Sequence, residues 1–242
     1  MKILLIRHGD PDYEKDSLTE KGWHEAELLA QRMAELEIQS FYVSPLGRAK
    51  DTASCTLKKM GREAEELAWL REFHAPIPDF HTGEPRIPWD QLPADWTAEP
   101  KYYDNIRWAE TLPMLEGHVI DEVNRVRNGL DEVLAKHGYV RNGNYYDAVS
   151  PNEDTLAFFC HFGVTCVMLS HLLGISPMIL WHGFCAAPTS VTSLITEERR
   201  KGVALFRMNA FGDTAHLFAN HEAPAFAARF CETFANQEQR HD

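Results

Sequence analysis

The chain has 242 residues, of which 44% are hydrophobic and 25% are charged, a composition typical of an ordinary globular protein. This length allows one substantial domain, or one domain with an insertion. The formal net charge of −12 disfavours non-specific binding to nucleic acid or to an anionic membrane surface, so we expect neither as a partner. A site for an anion would have to come from a local cluster of basic side chains.

The cysteines indicate a reducing compartment. They are odd in number, lie mostly in apolar surroundings and show no Cys-x-x-Cys spacing: Cys55, Cys160, Cys166, Cys185 and Cys231. We therefore expect buried free thiols and a cytoplasmic protein. Residues 155–196 contain no Asp, Glu, Lys or Arg. Histidine, glycine and proline interrupt this stretch, whereas a membrane span needs about 20 apolar residues, so we interpret it as core.

The first nine residues predict a strand that ends in candidate functional side chains at one edge of a sheet. Residues 2–6 are an apolar run of the kind buried on both faces of a parallel sheet, and the run ends abruptly at Arg7, His8 and Gly9. Ligands of open α/β sheets bind beyond the carboxyl ends of the strands. A guanidinium and an imidazole placed there, with a glycine that allows a tight turn, form a candidate anion site that contains a nucleophile.

A helix is predicted to begin after Thr19, which is a favourable N-cap, with Leu18 and Trp23 placed to form a hydrophobic staple. Helical spacing assigns these residues to its buried face: Trp23, Ala26, Leu29, Ala30, Met33 and Leu36.

A second strand is predicted over residues 41–43. Ser44 and Pro45 then have the pattern of an N-cap followed by proline at the first helical position, which places Arg48 in the first turns of a helix. Residues 65–70 predict a third strand that ends at Arg71 and Glu72.

Residues 73–117 break the pattern with seven prolines, seven aromatic residues and no clear period. Long loops in compact domains are usually lids or binding loops, so we interpret this segment as an insertion packed over the site. The alternative is a satellite cluster that only shields one sheet edge.

The remaining predicted elements follow one another in chain order. They are a helix over 119–135, a hairpin around Asn142 and Gly143, a strand over 156–160 that ends at His161, a helix over 164–173, a strand pair over 190–195 and 203–207, and a closing helix over 222–235. We predict one domain over residues 1–242, in the α/β class, with three layers: a mostly parallel central sheet and helices on both faces.

Strand ends on one edge of a parallel sheet converge, so Arg7, His8, Arg48, Glu72 and His161 can share one pocket. In this arrangement the sequence resembles the histidine phosphatase superfamily, the phosphoglycerate-mutase-like family. The motifs that carry the resemblance are IRHG at 6–9, LTEKG at 18–22, SPLGRA at 44–49 with TA at 52–53, LRE at 70–72, CHFG at 160–163 and, more weakly, DTAHL at 213–217.

The resemblance implies that His8 is a nucleophile that attacks the substrate phosphorus. Arg7, Arg48 and His161 would bind the phosphoryl oxygens, and Glu72 would protonate the leaving oxygen. The chemistry is consistent, because imidazole is partly neutral near pH 7 and guanidinium forks match phosphate oxygens. From the residues alone, Arg48 could also be a solvated helix arginine, Glu72 a surface ion-pair partner, and His161 a buried, hydrogen-bonded histidine.

Two positions depart from the family pattern. Gly117-His118-Val119 stands where many members have Gly-Glu-Ser, so His118 has no assigned role. Phe162 stands where a small residue is usual and could narrow the pocket, although its backbone amide, at the start of a helix, remains a candidate phosphate contact. The other histidines show no metal-ligand spacing, so we expect no metal and no other cofactor.

Three functions remain open: a phosphomonoesterase, a phosphoglycerate-type mutase, and a non-catalytic module that binds a phospholigand or a partner. Residues 73–117 carry three basic and eight acidic residues, a net charge of −5 that should repel polyanions. We therefore expect a phosphomonoesterase that acts on a small phosphorylated metabolite through a phosphohistidine. The natural substrate and the oligomeric state stay open.

Overall fold

The computed structural model describes residues 1–227 and 232–236. Its strands are β1 (Lys2–Arg7), β2 (Pro11–Asp12), β3 (Ser17–Leu18), β4 (Ser40–Val43), β5 (Glu65–Glu66), β6 (Ile77–Pro78), β7 (Pro85–Arg86), β8 (Tyr139–Asn142), β9 (Tyr145–Ala148), β10 (Thr155–Cys160), β11 (Val191–Arg200) and β12 (Val203–Asp213). Its α-helices are α1 (Glu20–Ala34), α2 (Gly47–Met60), α3 (Pro93–Trp96), α4 (Leu112–Glu116), α5 (Val119–Lys136), α6 (Phe162–Leu173), α7 (Pro177–Gly183) and α8 (Ala215–Phe218), with 3₁₀ turns at Ala68–Leu70, Pro100–Tyr103 and Arg107–Glu110.

Within the described residues the central sheet has eight strands in the order β5-β4-β10-β1-β11-β12-β9-β8. The pairs β5–β4, β4–β10 and β10–β1 are parallel, and the other four pairs are antiparallel. The predicted α/β class with a large central sheet is confirmed. The sheet is mixed rather than mostly parallel, because β11 and β12 form a long hairpin beside β1. The parallel half carries the strand ends that build the site.

Alternate residues of β1 divide the core into two layers. Ile3 and Leu5 face a cluster that contains side chains of α5, α6 and α7. Leu4 and Ile6 face the opposite cluster, with side chains of α1 and α2. Because successive strand residues point to opposite faces, a run that is apolar throughout is what a strand covered on both sides requires. The three-layer arrangement follows from this pattern.

Several local predictions are confirmed. Thr19 caps α1 by accepting a hydrogen bond from the Gly22 amide at 3.0 Å. The helix predicted over 119–135 is α5, and the hairpin at Asn142 and Gly143 joins β8 to β9. The helix after His161 begins at Phe162, two residues earlier than predicted.

Trp23 was wrongly placed on the buried face of α1, since its side chain is 37% exposed. The helix turns Gly22 inward instead. A Cβ atom at Gly22 would lie 2.2 Å from the Asp10 carbonyl oxygen, so only glycine lets the loop after β1 pack this closely.

Two predicted boundaries around the second and third strands were also wrong. Helix α2 begins at Gly47 with Leu46 as its N-cap, while the Ser44 hydroxyl contacts both the Leu46 amide and the His161 ring. The strand predicted over 65–70 pairs with β4 only at Glu65 and Glu66, after which the chain forms a 3₁₀ turn.

The closing helix predicted over 222–235 is wrong in its described part. Residues 222–227 are irregular, and 232–236 contain turns and an isolated bridge; 228–231 lie outside the described residues. Side chains of α1 compete for the backbone here: Lys21 Nζ donates to the Ala223 carbonyl at 2.7 Å, and the Ala225 amide donates to Glu25 Oε1 at 2.8 Å.

Residues 73–117 combine short strands, turns and short helices that are anchored in the core. Phe73, Ile77, Tyr102 and Met114 are at least 98% buried in the same cluster as α5 and α6. The Trp108 ring also packs edge-on against Trp181, with 5.7 Å between the ring centroids. Within the described part of the chain, no helix is both long and apolar enough to cross a membrane.

Candidate active site

His8 lies in the first turn after β1, at the carboxyl edge of the parallel half of the sheet. Its amide donates to the Cys160 carbonyl at 3.0 Å, and the next amide, of Gly9, donates to Thr52 Oγ1 at 2.9 Å. A Cβ atom at Gly9 would lie 2.7 Å from the Gly22 carbonyl oxygen. The turn is therefore fixed by β10, α2 and α1 together, and the imidazole is only 3% exposed.

The hydrogen bonding of His8 fixes which ring nitrogen is bare. Nδ1 lies 2.7 Å from the Gly9 carbonyl oxygen, which can only accept, so Nδ1 carries the proton. Burial, together with the positive charges of Arg7 and Arg48, holds the pKa of His8 well below its usual value. The imidazole is thus neutral near pH 7, with a lone pair on Nε2.

His161 stands beside His8 at the end of the neighbouring strand. The two ring centroids are 5.1 Å apart, and His161 occupies the N-cap position of α6. Its Nε2 lies 2.7 Å from Ser44 Oγ, which also accepts a hydrogen bond from the Leu46 amide. Burial and the neighbouring His8, Arg48 and Arg7 hold the pKa of His161 well below its usual value. A hydroxyl proton given to Nε2 leaves the ring proton on Nδ1, which has no partner among the described residues.

The two arginines approach this histidine pair from different elements. Arg7 is 4% exposed, and its Nη1 donates to the Ala186 carbonyl at 2.5 Å and to the Ala227 carbonyl at 3.3 Å. Arg48, near the start of α2, donates through Nη1 to Asp16 Oδ1 at 2.6 Å. The same carboxylate accepts from the Gly47 amide through Oδ2 at 2.7 Å, so Asp16 fixes both the helix start and the guanidinium.

Glu72 binds the first turn of α6. Its Oε1 accepts from the amides of Phe73 at 2.7 Å and Val164 at 3.0 Å, and its Oε2 accepts from the Gly163 amide at 3.2 Å. Burial raises the pKa of this carboxyl, although the three amides and Arg7 oppose the shift. Phe162, the first residue of α6, is 9% exposed between His161 and this carboxylate contact.

The structure therefore brings all six predicted site residues to one edge of the sheet. His118 lies elsewhere, with a largely exposed side chain at the N-cap of α5 and a positive φ of 49°. No cluster of three or more His, Cys, Asp or Glu side chains suited to a metal ion occurs in the described ranges.

The sequence reasoning missed four residues that support the site. Ser44 was interpreted as a helix cap, and Thr52 was used only as part of a motif. Asp16 lies in a loop without a pattern, and Glu25 lies on a helix whose spacing reveals only apolar positions. The pairing of Ser44 with His161 joins residues 117 positions apart, which no local signal reports.

Glu25 is fully buried and joins the His8 loop to the C-terminal segment. Its Oε2 accepts from the Asp10 amide at 3.2 Å, and its Oε1 accepts from the Ala225 amide. Burial raises its pKa to about 7. This contact holds the chain segment that reaches Arg7 through the Ala227 carbonyl.

A neutral imidazole with a bare nitrogen, a second imidazole and two guanidiniums therefore lie together at the carboxyl edge of the sheet, where open α/β sheets bind their ligands. A protein-family model identifies the class of this protein. The chain belongs to the histidine phosphatase superfamily, branch 1, whose model matches residues 3–209.

Curated relatives support this membership. A probable phosphoglycerate mutase of Photorhabdus laumondii is 36% identical over 83 residues, which are 31% of this chain and 39% of that protein. A second, from Serratia proteamaculans, is 30% identical over 112 residues, 41% of this chain and 52% of that protein. The chain thus matches about half or less of these mutases. A probable phosphatase of Schizosaccharomyces pombe is 24% identical over 233 residues, 90% of this chain and 95% of that protein.

Solved structures share the fold. A mutant of phosphoserine phosphatase from Entamoeba histolytica, in complex with phosphoserine, superposes with a TM-score of 0.58 and 20% identity, covering 89% of this chain and 98% of that one. Mycobacterial glucosyl-3-phosphoglycerate phosphatase in complex with VO₃ has a TM-score of 0.56 and 19% identity, covering 87% and 98%.

Proposed function

We propose that this protein is a phosphomonoesterase that works through a phosphohistidine at His8. The observation that carries the proposal is the fixed ring of His8, whose protonated Nδ1 is held by the Gly9 carbonyl while a bare Nε2 stands beside His161 and two arginines. The similarity to a probable phosphatase over 90% of the chain supports it as well.

In the first step the Nε2 lone pair of His8 attacks the substrate phosphorus, an N–P bond forms, and the P–O bond to the alcohol breaks. The guanidiniums of Arg7 and Arg48 and the Nδ1–H of His161 hold the phosphoryl oxygens as charge redistributes. The Phe162 amide, at the N-terminus of α6, is a further contact.

Glu72 is the acid in this proposal. Its protonated carboxyl gives the proton to the departing alcohol oxygen, and the resulting carboxylate then takes a proton from the water that attacks the phosphohistidine. That second attack breaks the N–P bond and restores neutral His8 and protonated Glu72. Burial supports this role by raising the pKa of Glu72, and a bound phosphate dianion would raise it further.

A small monophosphate fits the charges around the site best. The three basic residues of the 73–117 segment already have partners: Arg86 pairs with Asp79, Arg107 pairs with Glu110, and Lys101 Nζ donates to a backbone carbonyl at 3.5 Å. They are therefore poorly placed to bind a second anionic group. Several acidic side chains of the segment are also held in ion pairs and helix caps. The pairing of the three basic side chains is therefore a stronger reason to expect weak binding of polyanions than the net charge of −5.

The alternative is a phosphoglycerate-type mutase, which the partial matches to mutases favour. A mutase returns the phosphoryl group to a second oxygen of the substrate instead of to water. Incubation with 3-phosphoglycerate and a trace of 2,3-bisphosphoglycerate distinguishes the two. We expect inorganic phosphate to appear faster than 2-phosphoglycerate, and the reverse order would favour the mutase.

The decisive variant is His8→Ala. We expect it to abolish release of phosphate from every monoester that the parent protein hydrolyses, and we expect acid-labile, base-stable phosphate on the His8 peptide of the parent. Retained turnover in the variant would refute the proposal. Absence of turnover in the parent, with phosphate esters still bound, would instead favour a non-catalytic module. The free thiols of Cys55, Cys160 and Cys166 are buried or partly buried, and they support a cytoplasmic location, which we include in the proposal. The expectation of buried thiols is wrong for Cys185, which is exposed.

A further inference from the structure

Buried polar atoms without partners concentrate at the site. Eight such side-chain atoms occur in the described part of the chain, and four belong to the proposed site residues or to a ring packed on one of them: Arg7 Nε, Arg48 Nε, His161 Nδ1 and Trp89 Nε1. Folding rarely leaves a buried donor unsatisfied, because its hydrogen bonds to water are lost without replacement. Three of the four belong to the groups that we propose to bind phosphate. The fourth, the indole N–H of Trp89, has no role in the chemistry described above.

Trp89 lies beside Glu72, the carboxyl that we propose to protonate the leaving alcohol. A Cβ atom built on Gly163 would be 2.7 Å from Glu72 Oε1 and 3.0 Å from Trp89 Nε1, so the indole nitrogen and the carboxyl are neighbours across this glycine. Gly163 belongs to the first turn of α6, directly after His161 and Phe162. The indole N–H is therefore close to the group that protonates the leaving oxygen.

The ring of Trp89 is held in place by its neighbours. It meets the Phe162 ring edge-on, with 6.3 Å between centroids and an interplanar angle of 72°, and it packs against the larger core cluster. An indole nitrogen can only donate a hydrogen bond. A fixed donor beside the leaving group is suited to bind an acceptor oxygen of the alcohol.

We infer that Trp89 selects substrates: its Nε1–H donates to an oxygen carried by the alcohol portion of the phosphomonoester, close to the ester oxygen. The preferred substrates are then phosphorylated polyols, sugars or hydroxy acids, rather than simple alkyl phosphates. This inference rests on the proposed phosphomonoesterase function. A site with a buried donor discriminates strongly against an analogue that lacks the acceptor, because the donor then stays unpaired.

The test uses matched pairs of esters with the variant Trp89→Phe, which removes the N–H and keeps an aromatic ring. One pair is glycerol 3-phosphate and propyl phosphate, and the other is glucose 6-phosphate and cyclohexylmethyl phosphate. We expect kcat/KM for the oxygen-bearing ester to fall by about 5- to 10-fold, as for the loss of one hydrogen bond, and kcat/KM for its partner to change less than about 2-fold. The unchanged partner also reports that the variant is folded.

Trp96→Phe is the matched control, since Trp96 lies in the same segment but stacks on His182, with 5.0 Å between the ring centroids. In Trp96→Phe, the ratio of the two kcat/KM values within each pair of esters should equal that of the parent protein. Equal losses on both members in Trp89→Phe, or no loss on either, would overturn the role of Trp89 and leave the proposed function intact. Failure of the parent protein to hydrolyse any ester would overturn both.

Discussion

Glu25→Gln should change how the stability of the protein depends on pH. The carboxyl is fully buried, and burial raises its pKa from 4.5 to about 7, against the opposing influence of the Ala225 and Asp10 amides and of Lys21. Between these two pH values the folded state keeps a proton that the unfolded state releases. Stability therefore falls as the pH rises through this window, and the loss is complete above the folded pKa.

The size of the effect follows from the shift. At roughly 1.36 kcal/mol per pKa unit, a rise from 4.5 to about 7 corresponds to about 3 kcal/mol of unfolding free energy. Glutamine resembles the protonated carboxyl in shape and does not titrate, but its amide nitrogen cannot accept, so one of the two hydrogen bonds from the Asp10 and Ala225 amides is lost at every pH. As the pH rises from 5 to 8.5, the variant should therefore gain up to about 3 kcal/mol of unfolding free energy relative to the parent, in addition to a pH-independent loss from the missing hydrogen bond.

The assay is urea unfolding, followed by tryptophan fluorescence at several pH values from 5 to 8.5. The difference between the two unfolding free energies isolates Glu25, because contributions of other titrating groups such as His216 cancel. Glu27→Gln is the control, since Glu27 is exposed on the same helix, and its difference should stay flat. A difference for Glu25→Gln that is constant with pH, or that rises in the opposite direction, would refute the reasoning.

Two further predictions concern the catalytic groups. Glu72→Gln should slow the hydrolysis of alkyl phosphates by roughly 10²- to 10⁴-fold but that of p-nitrophenyl phosphate far less, because an activated phenolate leaves without a proton. Equal losses on both substrates would show that Glu72 acts mainly by anchoring α6. Asp16→Ala removes the carboxylate that holds Arg48, so KM and the inhibition constant of inorganic phosphate should each rise about 5-fold. Glu14→Ala is the control, because Glu14 is exposed. Unchanged phosphate inhibition in Asp16→Ala would contradict the positioning role of Asp16.

Local sequence patterns were sufficient to predict where the candidate site residues lie. The apolar run before Arg7 predicts a strand covered on both faces, and a polar residue at the end of such a strand has to lie at the sheet edge. The same reasoning applies to His161. These predictions rely only on neighbours within a few positions, and the structure agrees with them.

The predictions that were wrong depend on contacts between residues that are far apart in the sequence. Ser44 has the local pattern of a helix cap, yet its hydroxyl is used by His161, and α2 begins three residues later. Glu72 reaches the amides of a helix that begins 90 residues further along the chain, so its orientation could not be inferred from its own surroundings. The orphaned nitrogen of Trp89 is likewise visible only when its neighbours are known.

The two edges of the central sheet bear on how copies of the protein can associate. One edge is β5, which is only two residues long and consists of the exposed carboxylates Glu65 and Glu66; the other is the four-residue β8. Short and charged edges discourage an incoming strand, since its backbone would gain few hydrogen bonds while lying beside fixed charges. Extension of this sheet from one molecule into the next is therefore disfavoured, which leaves helices and loops as the better surfaces for any contact between copies.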